Sequence, residues 1–162
     1  MYGWYAFATG FDLADSLPFH ISRTTSLLTI VFLLTRKMHF MDVVCYFSIF
    51  ALVSLIYPLH VYHLITIIVP IFAIIVYNWR PTWRSYRNAV IGFSIYFPLA
   101  LITNIFTDTG NYFYQTDRPF LHDMHSSVFA VLSFFVTLTG FAIIPLVYSF
   151  TVKIMQKRIK IN

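Results

Sequence analysis

Glutamate is missing from this chain, cysteine appears once, and charge of either sign is scarce. Charged side chains make up 10% of the 162 residues, against about a quarter in soluble domains, so an ordinary soluble domain is excluded. The single cysteine, Cys45, excludes an internal disulfide and a cysteine-rich metal site. Inside its apolar run it reads as a small core residue. Nothing in the sequence points to a cofactor, and no nucleic-acid motif is visible. The net charge of +5 comes from eleven Lys and Arg gathered in a few short segments, so it bears on membrane orientation rather than on nucleic acid.

What the chain has instead is apolar length. Hydrophobic residues make up 59% and aromatic residues 20%, with a mean hydropathy of +0.73, which places it among integral membrane proteins. Each crossing of a bilayer takes about 20 residues. The expected fold class is all-α: one polytopic transmembrane helical bundle over residues 1–162, with five full spans near 17–34, 40–57, 60–79, 89–106 and 128–152. Residues 1–10 are too few to cross and add a short N-terminal helical segment; they read either as interfacial, where Tyr2, Trp4 and Tyr5 would sit well, or as the end of a helix. Pro18 suits a first helical turn, where its missing N–H needs no partner. Pro70 is expected to kink the third span.

Short basic loops stay cytoplasmic. Arg36, Lys37, Arg80, Arg84, Arg87, Lys153, Lys157, Arg158 and Lys160 fall on one side, against Arg23 and Arg118 on the other. The C-terminus is therefore expected in the cytoplasm of a cell-membrane protein. Five of the six histidines and five of the six aspartates gather at the opposite end. Ionisable groups at membrane depth are costly and mark functional sites, so the site is expected there.

Ser22, Thr25, Ser26 and Thr29 lie at i, i+3, i+4 and i+7, one face of the first full span. For the last three, close helix packing and local hydrogen bonding is the expected role. Ser22 differs because it opens the helix beside His20 and Arg23. A serine hydroxyl becomes a nucleophile only with a base, usually histidine. His60 and His63, at the start of the third span, are the available bases on that side. A second reading gives His60, His63, His122 and His125 a metal, although no carboxylate completes the set, and no metal is expected. The long connection from Thr107 to Ser127 reads either as an aromatic belt or as a lid in which Asn111 and Arg118 hold a phosphate or carbonyl oxygen.

Three short motifs resemble one family. Leu17-Pro18-Phe19-His20-Ile21-Ser22 resembles the L-P-L-x-L-C segment of YwaF-like bacterial integral membrane proteins. Arg80-Pro81-Thr82-Trp83 resembles their R-P-T-W loop, and Asn111-Tyr112-Phe113-Tyr114 with Arg118-Pro119 resembles their N-Y-x-Y…K-P segment. Those proteins are related to the eukaryotic transmembrane protein 164 family, membrane phospholipid acyltransferases that use a cysteine and a histidine. The resemblance implies that Ser22 stands at the cysteine position and His63 at the histidine. It also implies a longer N-terminus than this chain carries.

The expected function is lipid acyl transfer at the extracytoplasmic face. Ser22 and His63 would be catalytic, Asn111, Arg118 and His60 would bind substrate, and aromatic walls would hold the acyl chain. The alternative is a non-catalytic member, truncated or dependent on a partner. Expected partners are membrane lipids, with a membrane protein or a second copy of the chain under the alternative.

Overall fold

The computed structural model describes residue 17 and residues 19–50, 61–107, 111–115, 121 and 123–159, with backbone alone at 61–65, 114, 158 and 159. Among the described residues five α-helices and one 3-10 turn follow in order: α1 Ile21–Thr35, α2 Met38–Phe47, α3 Val61–Val76, α4 Trp83–Phe106, the turn Tyr112–Tyr114, and α5 Ser126–Ile159. There is no strand among them. The all-helical expectation holds, but the five full spans do not. Two helices, Trp83–Phe106 and Ser126–Lys157, are long and apolar enough to cross a membrane. The other three are apolar and shorter, with 15, 10 and 16 residues. The 51–60 segment between α2 and α3, where two expected spans would be completed, lies outside the described residues, as do residues 1–10 and Pro18.

Local chemistry explains where several boundaries moved. The R-P-T-W segment is not a loop throughout, because Thr82 caps α4: its Oγ1 accepts the Ser85 N–H at 3.3 Å, satisfying one of the orphan donors of a first turn. Trp83 to Arg87 are therefore helical. α1 stops at Arg36, which takes a left-handed conformation (φ 57) and returns its N–H to Phe32 O at 2.7 Å. α3 stops at Tyr77, followed by Asn78 at φ 50. α5 runs past the expected end near 152, since no breaker follows Pro145 and basic residues suit a helix C-terminus.

α2 is the element on which the helices gather, packing against α1, α3 and α4, while α5 and the 3-10 turn pack on α4. α2 lies close against α4, and Gly92 permits it: a Cβ there would lie 2.7 and 2.8 Å from the two Cγ atoms of Val43. Lipid tails offer no hydrophobic drive for helix association, so shape and polar contacts decide it. An aromatic cluster supplies the shape. Tyr46, Phe47, Phe50, Phe93, Tyr96, Phe97, Phe134 and Phe141 meet at ring distances of 5.2 to 6.5 Å, many of them edge to face. A polar tie closes the basic end. Asp42, 8% exposed, accepts from Trp79 Nε1 and from Asn88 Nδ2, each at 2.7 Å. On α5 the residues turned inward are Phe134, Thr137, Leu138, Phe141 and Pro145, a helical stripe. Its other face, like Ile75, Ile105 and Phe106 elsewhere, is apolar and exposed, which suits lipid.

Candidate functional site

The site is built where α1 begins. Tyr96 Oη donates to Phe19 O at 2.7 Å across 77 residues of sequence, fixing the chain just ahead of the helix. His20 then serves as N-cap through its backbone alone, its carbonyl accepting from Arg23 N at 2.9 Å and Thr24 N at 3.0 Å. Ser22 follows in the first turn, half-buried.

Tyr96 also sets the depth. It stands thirteen residues into α4, about 20 Å along the helix, and Phe106 lies about 15 Å farther on. α1 therefore starts near the middle of α4 rather than level with its end. The short α1 has the same explanation, because it starts part-way through.

A second segment comes down to meet it. Asn104 holds the Tyr112 backbone from both sides, its Nδ2 donating to Tyr112 O at 2.9 Å and its Oδ1 accepting from Tyr112 N at 2.8 Å. Tyr112, fully buried, places its ring 4.9 Å from His20 and 6.0 Å from Phe19. Phe113 goes deeper, 5.5 Å from Phe93 and 5.3 Å from Phe97. It does so at φ 58, ψ 30, a conformation rare for a bulky side chain. Gln115 Nε2 donates to Phe113 O at 3.1 Å and to Ser133 Oγ of α5 at 3.2 Å. Residues 111–115 thus pack into the bundle, and the rest of the expected belt or lid lies outside the described residues. Irregular backbone at membrane depth is tolerated only when buried in protein or lining a cavity, and strained turns cluster at functional sites.

Three members of the hydroxyl stripe take the local role expected of them. Thr25, Ser26 and Thr29 donate to the carbonyls four residues back, at 2.6, 2.9 and 2.8 Å, which is local satisfaction within the helix. Ser22 lies on the stripe with buried Thr25 and Phe32, and Phe32 meets Tyr77 just past α3 at 5.1 Å. That side of α1 faces α3, and the two helices are in contact. Counting back from the Phe32–Tyr77 contact, Ser22 lies about 15 Å up α1 and His63 about 21 Å up α3. His63 thus sits about one turn beyond Ser22 toward the polar end, and Ile67 and buried Thr66 stand near the level of Ser22.

The remaining expected site residues are distributed as follows. The His63 side chain, His60, Arg118 and His122 lie outside the described residues. Asn111 is half-buried beside Tyr112, and exposed His125 accepts the Ser127 N–H at 3.4 Å. Among the described residues no group of three metal-ligating side chains forms. Sequence reasoning missed Tyr96, Asn104, Thr66 and Gln115. Polar residues inside the apolar fourth span were the available signal for the first two.

A groove of ≈ 550 Å³ runs between α1, α2 and α4. Its α1 wall is Thr24, Leu27, Leu28 and Val31, about half a helical turn round from Ser22. The groove and the Ser22 face are therefore separate.

No curated protein and no solved structure matches the chain. A family model described as the TMEM164 family matches residues 1–153, and with its apolar helices the chain is a membrane protein that belongs to the TMEM164 family.

Proposed function

We propose that this protein transfers an acyl group between membrane lipids, with Ser22 as nucleophile and His63 as its base. Ser22 Oγ attacks the ester carbonyl of a donor phospholipid while His63 takes its proton. The lysolipid oxygen leaves with that proton, giving an acyl-serine. An acceptor lipid hydroxyl then gives its proton to His63, takes the acyl group and frees Ser22. Asn111 and Arg118 steady the oxyanion or the phosphate.

One observation carries this reading. Ser22 opens α1 part-way along α4, on the side of α1 turned to α3, near a turn with a left-handed Phe113 held by Asn104. Family membership supports lipid chemistry, and the resemblance puts a nucleophile at this position. The extracytoplasmic placement of that end follows from the basic loops at the other.

The test is lipid turnover by protein reconstituted with a labelled phospholipid and a lysolipid acceptor. Ser22→Ala should abolish transfer, whereas Ser26→Ala, four residues on, should leave it intact. Equal transfer by wild type and Ser22→Ala would reject the mechanism. The second reading, a non-catalytic member acting through a partner, draws on the serine that replaces the family cysteine. It is favoured if wild type transfers nothing and co-purifies with a stoichiometric membrane protein.

A further inference from the structure

The groove behind α1 is closed at one end by chemistry that the acyl-transfer reading does not use. On α4 its wall runs from Leu99 through Ile95 and Ile91 to Asn88, about 16 Å of helix, close to half of a 30 Å hydrocarbon layer. Ile95 and Ile91 are exposed, so the groove opens sideways to lipid. One turn beyond Asn88 on the same face stands Arg84, and one turn beyond Ile91 stands Arg87. Both are exposed. From α2 the same end receives His39, which lines the groove, and exposed Lys37 at the helix N-cap. Asp42, the one carboxylate at this end among the described residues, is buried and already accepts from Trp79 and Asn88. It leaves the cations at the rim uncompensated.

We infer that the groove binds one anionic phospholipid of the leaflet facing the basic loops, with an acyl chain along α4 and its phosphate among Lys37, Arg84 and Arg87. A basic rim joined to an apolar trough between helices fits such a headgroup and tail together. Asn88, oriented by its bond to Asp42, sits where tail gives way to headgroup. Because Ser22 lies on the opposite side of α1, this lipid is a resident ligand and not the acyl donor.

The experiment is native mass spectrometry of the full chain released from nanodiscs of equal phosphatidylglycerol and phosphatidylcholine. One retained phosphatidylglycerol per chain is expected. Lys37→Gln, Arg84→Gln and Arg87→Gln should each weaken its retention about fivefold. Ile95→Trp, which fills the trough and keeps every charge, should remove it; Ile91→Trp serves the same purpose should Ile95→Trp not fold. Equal retention of both lipids, or undiminished phosphatidylglycerol in a folded filled variant, overturns the proposal by showing only an unspecific basic rim. Transfer assays on Ser22→Ala are unaffected by either outcome.

Discussion

Removing the Asn104 side chain tests whether the 111–115 turn is held down as described. Asn104→Ala takes away both hydrogen bonds to the Tyr112 backbone, at 2.9 and 2.8 Å. Losing a partner to a buried polar group costs about 1–3 kcal/mol, which sets an upper figure of about 6 kcal/mol for the pair. Within membranes the measured average is about 0.6 kcal/mol per bond, because the opened state finds other partners, so the lower figure is about 1 kcal/mol. The cost falls on local opening rather than on the whole bundle, since α4 keeps its aromatic contacts through Phe93 and Phe97. Hydrogen–deuterium exchange of the protein in nanodiscs reads this directly. Amides at residues 112–115 should exchange at least fivefold faster in Asn104→Ala, while those in the middle of α4 are unchanged. Exchange at 112–115 that stays within twofold of wild type would refute the clamp.

Gly92→Ala forces a Cβ to within 2.8 Å of Val43 and should cost about 1–3 kcal/mol by overpacking. Thermal unfolding in detergent measures it, and Val43→Ala in the same chain should recover most of the loss. Asp42→Ala leaves the Trp79 indole N–H and the Asn88 amide without their shared acceptor. A loss of about 2–6 kcal/mol is expected in the same assay, with a change in Trp79 emission. Tyr96→Phe removes the tether to Phe19 O, so amides near the start of α1 should exchange faster while overall unfolding shifts by about 1 kcal/mol or less.

The long apolar helices were legible because membrane crossing imposes length and composition together, as in α4 and α5. The roles of Thr25, Ser26 and Thr29 were legible too, since a hydroxyl inside a helix finds the carbonyl four residues back. Depth was not. That α1 begins half-way along α4 depends on Tyr96 reaching Phe19, and no local pattern encodes a contact over such a separation. The dipping turn was hidden for the same reason: its hold comes from Asn104 and Ser133, on helices before and after it. Helix starts drifted where capping overrode composition, as at Thr82. The Ser22–His63 pairing rests on the resemblance and on the contact between α1 and α3.

The central claim is that Ser22 carries the acyl group. Intact-mass analysis of purified protein, incubated with a phospholipid donor and no acceptor, reads this most directly. The account predicts a covalent adduct of one acyl mass, mapped to Ser22 by peptide sequencing, absent from Ser22→Ala and discharged when lysolipid is added. Ser22→Cys should form the corresponding thioester. A wild-type chain that gains no acyl mass while transferring label between lipids, or an adduct mapped to another residue, would contradict it.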